Sequence, residues 1–156
     1  MNEDDSLLAQ CSCGKVAMST RGKALAGVVC NCASCREAGR RFAANSPNGC
    51  VLDADGGTAV VLYRKDRVHC LRGGEHLSEL RSQPASKTKR VVATCCGTPM
   101  FLDFEPGFWM SIYRKRLGDR SPAITLKAHT GRFMLKLLAA WVAMGLQSPK
   151  FEWGRG

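Results

Sequence analysis

Seven of the nine cysteines in this 156-residue chain fall into three short motifs. The first reads Cys-Ser-Cys-Gly, the second Cys-Asn-Cys-Ala-Ser-Cys and the third Cys-Cys-Gly. Clustered thiolates are typical ligands of zinc, which takes four ligands in a tetrahedron. The pattern therefore predicts one or two Zn²⁺ ions per chain, with these ligands: Cys11, Cys13, Cys30, Cys32, Cys35, Cys95 and Cys96.

The spacing of the motifs predicts two kinds of site. Residues i and i+2 of an extended strand share a face, so both thiols of the first motif can reach one ion. With one or two cysteines from the last motif they would close a structural site. Three cysteines from the middle motif would leave a fourth position open, as a catalytic zinc requires. Cys35 would lie near the start of a short helix predicted over 33–41, where the helix dipole favours the thiolate.

The N-terminal residues and the cysteine count argue against disulfides. The chain begins with an acidic segment that lacks the basic and apolar parts of a secretory signal. Nine is also an odd number, which cannot pair completely within one chain. We therefore expect a reducing, cytoplasmic location. The longest apolar segment, residues 133–146, contains Lys136 and is too short to cross a bilayer, so no membrane association is expected.

The chain is strongly basic, with 23 Lys and Arg against 13 Asp and Glu and a formal net charge of +10. This charge suits an anionic partner such as glutathione, another carboxylate-bearing thiol or nucleic acid. Aromatic residues make up only 7% of the chain and do not alternate with the basic runs. Nucleic-acid binding by base stacking is therefore not predicted.

Hydrophobic patterning predicts one mainly β domain with a single clear helix near the C-terminus. Apolar residues from Phe133 to Met144 recur at helical spacing, and Gly145 ends the pattern. Residues 1–9 are expected to be a flexible tail, 10–128 the zinc-binding domain, and 129–156 a helix and tail packed on it. Strands are predicted over 15–19, 26–32, 58–63, 67–71, 91–94, 100–104 and 108–113.

Taken in order, CSCGKV, CNCASCREAGRRFA and RVVATCCGTPMF resemble the glutathione-dependent formaldehyde-activating enzyme family, which includes centromere protein V. The resemblance covers about residues 10–104. It implies a β-tent fold and a structural zinc bound by Cys11, Cys13 and Cys96. It also implies a second, catalytic zinc at the middle motif, Cys30, Cys32 and Cys35, which a thiol such as glutathione approaches. The implied activity is that of a carbon–sulfur lyase, as in S-hydroxymethylglutathione formation.

The third motif departs from the family pattern. The family has Cys-x-x-Cys-Gly, and Ala93 stands here at the first cysteine position. Cys95 would replace the missing ligand only if a tight turn forms, because neighbouring strand residues point to opposite faces. A divergent branch of the family, of unknown function, shares this Cys-Cys-x-Thr-Pro form.

The remaining chemical residues carry no pattern of their own. Cys50 and Cys70 are predicted to be plain thiols. His69, His76 and His129 are predicted to be non-functional, although one of them could complete a zinc shell from afar. No general base is evident in the sequence. Two other functions remain open: a zinc-stabilised binding module for an anionic partner, and a thiol-based redox or metal sensor.

Overall fold

Ten strands, two α-helices and four three-residue 3-10 helices make up the regular structure of this computed structural model, which describes residues 6–81 and 83–151. The strands are β1 Leu7–Gln10, β2 Ala17–Thr20, β3 Ala26–Cys30, β4 Thr58–Arg64, β5 Val68–Arg72, β6 Leu77–Leu80, β7 Thr88–Ala93, β8 Thr98–Phe104, β9 Trp109–Tyr113 and β10 Leu126–Lys127. Helix α1 spans Ala33–Asn45 and helix α2 spans Gly131–Ala143. The predicted fold class, mainly β with a C-terminal helix, is confirmed.

The strands form two sheets. The larger has seven strands in the order β10-β3-β4-β9-β8-β7-β6, and the smaller has three in the order β1-β2-β5. Neighbouring strands run antiparallel, with one exception at the edge of the large sheet, where β10 pairs parallel with β3. This edge places the segment before α2 beside the segment before α1.

The large sheet is buried on both faces because each face packs into a different core. On β4, Val61 and Tyr63 enter a first core shared with β1, β2 and β5 of the small sheet. Val60 and Leu62 point the other way, into a second core that the two helices cover. Alternating side chains point to opposite faces of a strand, so the continuous apolar run of β4 fits a strand between two layers.

Helix α2 covers the second core with one stripe of side chains. Leu137 is buried, and Phe133, Ala140, Trp141 and Met144 pack around it, as the helical periodicity predicted. The Thr130 hydroxyl caps the helix by accepting a hydrogen bond from the backbone N–H of Phe133 at 3.3 Å. Within the described residues, neither helix is both long and apolar enough to span a membrane.

Helix α1 is four residues longer than the predicted 33–41. Phe42 lies beyond the predicted end and is buried in the second core, so tertiary packing extends the helix. The chain then turns at Ser46, whose backbone N–H still bonds to the Phe42 carbonyl. An exposed pair between Arg41 and Glu37 lies along the outer face.

The prediction of a tail over residues 1–9 is wrong for its second half. Residues 1–5 lie outside the described part, but Leu7–Gln10 forms β1 and pairs with β2. The strand is short and buries one side chain fully, that of Ala9, so its pattern is too weak to recognise in the sequence. Strands β6 and β10 were missed for the same reason of length, and residues 152–156 of the predicted tail lie outside the described part.

Candidate metal centres

The first motif forms a compact loop between β1 and β2. The backbone N–H of Cys11 bonds to the Val16 carbonyl at 3.1 Å, and that of Gly14 bonds to the Cys11 carbonyl at 3.1 Å. Gly14 adopts φ +80°, a left-handed conformation that favours glycine. The Val16 N–H points at the Cys11 sulfur from 3.3 Å. The loop therefore holds the Cys11 and Cys13 sulfurs 3.6 Å apart on one side.

The third motif occupies the tight turn that joins β7 to β8. The backbone N–H of Gly97 bonds to the Ala93 carbonyl at 2.8 Å, and Gly97 has φ +70°. The turn places the sulfurs of Cys95 and Cys96 3.9 Å apart instead of on opposite faces. The Ala93 side chain is fully buried in the first core, so the turn and not position 93 presents the thiols.

Together these two motifs bring four sulfurs to one point. The Sγ atoms of Cys11, Cys13, Cys95 and Cys96 all lie within 4.8 Å of one another. Cys95 is 3.8 Å from Cys11 and 3.4 Å from Cys13. Zinc bound to sulfur at about 2.3 Å in a tetrahedron would separate its ligands by about 3.8 Å, so the set fits this ion. The set includes Cys95 as a fourth sulfur, which the sequence left open.

Polar groups around this set favour the thiolate form of Cys96. Thr98, fully buried, places its hydroxyl 3.0 Å from the Cys96 sulfur and accepts a bond from the Ser12 N–H at 3.1 Å. Burial opposes ionisation, but the hydrogen bonds from Thr98 and from the Cys13 backbone lower the pKa of Cys96 to about 6. Burial raises the pKa of Cys95, and its hydrogen bonds to the neighbouring thiols raise it further.

An arginine lies close to the four sulfurs. Burial lowers the pKa of the Arg116 guanidinium, while the nearby thiolates of Cys96 and Cys11 act in the opposite direction. Among the described residues, the buried Nε of Arg116 has no hydrogen-bond partner. A cation that interacts with these sulfurs would offset part of the negative charge of a four-thiolate centre.

The second motif spans the junction between β3 and α1. Cys30 is the last residue of β3 and is buried. Cys32 is the N-cap of α1, and its sulfur accepts a hydrogen bond from the Cys35 N–H at 3.4 Å. The Cys30 and Cys32 sulfurs are 3.2 Å apart. Cys35 follows in the first turn of the helix, close to the predicted position.

The structure brings His129 to this junction. The ligand atoms of Cys30, Cys32 and His129 all lie within 4.8 Å of one another, and Cys35 is not part of this set. The resemblance implied Cys35 as the third ligand and left the fourth position open. The sequence predicted His129 to be non-functional but left open that one histidine completes a zinc shell from afar, and the position of His129 favours the second alternative. No local signal in the sequence marked it, because its position follows from the pairing of the two-residue strand β10 with β3.

Cys30 is the residue on which the other donors converge. The hydrogen bond from Cys35 lowers the pKa of Cys30 to about 5, against the opposing effect of burial, and hydrogen bonds from Cys32 and His129 assist. The same bond raises the pKa of Cys35, because it holds the Cys35 proton on the donor. These opposite shifts favour the thiolate form at Cys30 and the protonated thiol at Cys35 in the metal-free protein.

Arg90 supports the second motif from beneath. Its side chain, 6% exposed, extends from β7 under α1 and donates from Nη2 to the Ser34 hydroxyl at 2.9 Å. It also bonds to Tyr113, whose pKa is raised by burial and held back by the Arg90 charge. Among the described residues, Arg90 Nε and the buried Thr58 hydroxyl opposite Cys30 have no hydrogen-bond partner.

The other chemical residues are not brought to either set. Cys50 is exposed, and the Lys115 ammonium lies 3.6 Å from its sulfur. Cys70 lies on β5 with a pKa raised by burial, and His69 lies beside it on the same strand. The His76 imidazole lies 3.6 Å from the Glu75 carboxylate. All nine cysteines, which lie within the described part of the chain, are free thiols.

Several basic side chains have partners within the protein. Lys65 forms a buried ion pair with Asp103 at 2.7 Å. Arg114 donates to the Pro122 carbonyl at 3.1 Å, and Lys115 donates to the Leu52 carbonyl at 3.2 Å. These three basic side chains therefore stabilise the fold through contacts within the protein.

Comparison with known proteins gives a fold relative and no family. No family model and no curated protein matches the chain. The crystal structure of a Rhodobacter sphaeroides protein, from a structural genomics programme, covers 78% of this chain and 100% of its own length. The two share 15% sequence identity at a TM-score of 0.54, so the likeness is one of fold alone.

Proposed function

We propose that this protein is a two-site zinc protein whose second site binds a small thiol. The observation that carries the proposal is the difference between the two donor sets. One is a closed group of four sulfurs between two loops, and the other is a mixed group of two cysteines and a histidine at the N-terminal end of α1. Closed four-sulfur sites are typical of structural zinc, and mixed sites at a surface serve chemistry more often.

The substrate class follows from the resemblance to the glutathione-dependent formaldehyde-activating enzymes. We propose glutathione or a related thiol–aldehyde adduct as substrate, with a carbon–sulfur bond made or broken, by a divergent member of that family. Bound zinc would supply a Lewis acid that lowers the pKa of a coordinated thiol. The net charge of +10 suits a thiol that carries carboxylates.

The residues of the chain prepare this site for an anionic sulfur. Cys32 caps α1, so the unpaired N–H groups and the dipole of the helix point toward the cluster. Arg36, which follows Cys35 in the chain, adds an exposed positive charge, and Arg90 adds a buried one. An incoming thiolate therefore meets favourable charge from the helix end and from below.

We also propose a reducing compartment, the cytoplasm, as the location. Nine free thiols, several of them within 4 Å of another sulfur, would form disulfides in an oxidising environment.

The first test is the zinc content of protein purified without chelator, by elemental mass spectrometry. We expect close to two ions per chain. Cys13→Ser and Cys35→Ser should each lower this value, the first together with stability and the second with stability retained. Cys70→Ser is the matched control and should keep both ions. A zinc content near zero in folded, reduced protein would rule the proposal out.

The second test is turnover of glutathione and formaldehyde by zinc-loaded protein, followed by NMR of the hydroxymethyl carbon. We expect Cys35→Ser to abolish an activity that Cys70→Ser retains. Exchange no faster than in protein-free buffer, with both sites loaded, would contradict the enzyme assignment and leave the metal assignment intact.

A thiol-based redox sensor is the second candidate, favoured by the 3.2 Å distance between the Cys30 and Cys32 sulfurs. Hydrogen peroxide would oxidise such a pair to a disulfide, with peroxide reduced to water and the metal released. Zinc release by low peroxide that dithiothreitol reverses would support this function. Retention of zinc under the same oxidant would exclude it.

A further inference from the structure

We propose that His129 is an exchangeable fourth ligand, which closes the second site at rest and yields its place to a substrate thiol. The inference deepens the proposed function and depends on it. It assigns the gate of the site to a residue far from the cysteine motifs in sequence. It also supplies a reason for thiols, among small molecules, to be the substrates.

The position of His129 is set by the parallel pairing at the edge of the large sheet. Leu126 aligns with Val28 and Lys127 with Val29. The pairing continues through the bond from the Ala128 N–H to the Val29 carbonyl at 2.9 Å. Continued along the chain, this register sets Ala128 beside Cys30 and His129 beside Asn31, which lies between Cys30 and Cys32. The ligand atoms of Cys30, Cys32 and His129 all lie within 4.8 Å of one another.

Three donors of the second motif are anchored more firmly than His129. Cys30 is buried at the end of a strand paired along its length with β4. Cys32 is fixed by its cap bond to the Cys35 N–H, and Cys35 is fixed within the first turn of α1. If one of these cysteines were to leave the metal, it would have to break these contacts. A ligand that leaves easily must therefore be a residue outside the motif.

His129 is held by much less. It is exposed and follows a strand of two residues at a sheet edge. Its backbone has φ +65°, a left-handed conformation unusual for a residue with a side chain. Strain of this kind is found at binding sites and switch regions. The neighbouring Thr130 keeps its own bonds, to the Lys127 carbonyl and from the Phe133 N–H, without any help from the imidazole.

These differences identify His129 as the ligand that yields. The structure groups Cys30, Cys32 and His129, and Cys35 bonds to Cys30 from the first turn of α1. If the Cys35 sulfur also turns to the ion, as the family resemblance implies, three thiolates and the imidazole would complete the tetrahedron and close the site. In the exchange, the bond from the metal to imidazole nitrogen breaks, a bond to the substrate sulfur forms, and the thiol proton passes to solvent. Thiolates are stronger ligands for zinc than neutral oxygen groups, so water and alcohols would not displace the imidazole.

The test uses cobalt as a spectroscopic probe in place of zinc, on the full chain. Wild type is compared with His129→Asn, because asparagine tolerates left-handed backbone and is a poor ligand for this ion. The four-sulfur set contributes equally to both spectra and cancels in their difference. We expect a visible-band shift on substitution that reports loss of one nitrogen ligand. His69→Ala, on an exposed strand position, is the matched control and should leave the spectrum unchanged.

The second readout is the affinity of glutathione for zinc-loaded protein, by isothermal titration. Because no ligand has to leave first, we expect His129→Asn and His129→Ala to bind about tenfold more tightly than wild type. Unchanged spectra with thiol binding retained would overturn the inference alone, as would weaker binding by both variants. A shifted spectrum with no thiol binding by any protein would overturn the exchange together with the proposed function.

Discussion

Among single residues, Cys30 lies where the other donors of the second motif converge. Cys32, Cys35 and His129 all surround its sulfur, from three different backbone environments. A thiol with several donors around it ionises early because each hydrogen bond stabilises the charged form. The same convergence places the sulfur beside the position that a shared metal ion would occupy.

This convergence predicts a stepwise ionisation in protein stripped of metal and kept reduced. The first thiolate should form near pH 5, at Cys30, and the next near pH 6, at Cys96. Ultraviolet thiolate absorbance during a pH titration measures both steps. Cys30→Ser should remove the lower step and Cys96→Ser the upper. A single transition at the usual thiol pKa in the intact protein would contradict this account.

The same shifts have a sign for stability. The folded pKa of each group lies below its unfolded value near 9, so the thiolate contributes stability that is complete above that value. The contribution declines as the pH falls through the interval between the two values. Metal-free protein should therefore unfold at lower denaturant concentration at pH 5 than at pH 8, and less so in the two serine variants.

Arg90 offers a second prediction for a single side chain. It holds Ser34, between Cys32 and Cys35, from below, so its loss should loosen the ligand-bearing turn. Outer residues of this kind change metal affinity by about 10–100-fold. We expect Arg90→Met to weaken zinc binding by about tenfold at the second set and to leave the first unchanged, in competition with a chromophoric chelator.

Arg40→Met is the matched control for Arg90→Met. Arg40 lies on the same helix as Ser34, and its side chain is exposed in a loose contact with Glu37. Zinc affinity should not change in this variant. Equal losses in the two variants would show that the effect is one of helix stability and not of support to the ligands.

Among the elements, the β7–β8 turn decides whether the first set exists. A Cβ on Gly97 would lie 2.4 Å from the Ser46 hydroxyl, which bonds to the Cys96 carbonyl and to the Asn48 N–H. Ser46 cannot move away without breaking those bonds. The residue therefore needs both the left-handed conformation and the absence of a side chain.

Gly97→Ala should destabilise the protein and lower zinc occupancy of the first set, by denaturant unfolding and elemental analysis. Gly118 has nearly the same φ, +69°, with nothing within 4 Å of an added Cβ. Gly118→Ala should cost only the conformational term, about 1–2 kcal/mol. A larger loss in Gly97→Ala, with loss of metal, isolates the contact with Ser46; equal effects would count against it.

The elements also show how far the sequence reaches. The long apolar β4 and the periodic α2 were predictable because their side chains report their surroundings directly. The cysteine motifs predicted two donor groups because the type and spacing of their residues are visible in the sequence itself. His129 was missed because its place depends on β10, whose two residues carry no pattern and are ordered by pairing with β3. Tertiary contacts, which local sequence does not encode, also extended α1 to Phe42.

In the whole molecule, the two cores are joined through the large sheet, and a buried ion pair lies at one end of its inner strands β4 and β8. Lys65, 2% exposed, pairs with Asp103 at 2.7 Å and donates to the Phe104 carbonyl at 2.9 Å. These bonds connect the end of β4 with the end of β8. Removing one partner of such a pair leaves a buried charge without compensation.

Lys65→Met is therefore expected to destabilise the protein by about 3–5 kcal/mol in denaturant unfolding, with zinc occupancy held equal. The exposed pair of Arg41 and Glu37, at 3.0 Å, provides the comparison, and Arg41→Ala should cost less than about 1 kcal/mol. A loss of unfolding free energy below about 1 kcal/mol in Lys65→Met would show that water reaches Asp103 readily.

The two donor sets interleave along the chain, and this order matters while the protein is being made. One set joins residues 11–13 to residues 95–96, and the other joins residues 30–32 to His129. A nascent chain emerging from the ribosome therefore presents its first five cysteines well before the residues that complete either set exist. If both sets bind metal as proposed, an ion captured at that stage could be shared between cysteines of both sets, a pairing that the finished fold does not contain. Correct loading would then follow synthesis, and fragments ending before Cys95 would hold metal only in incomplete sites.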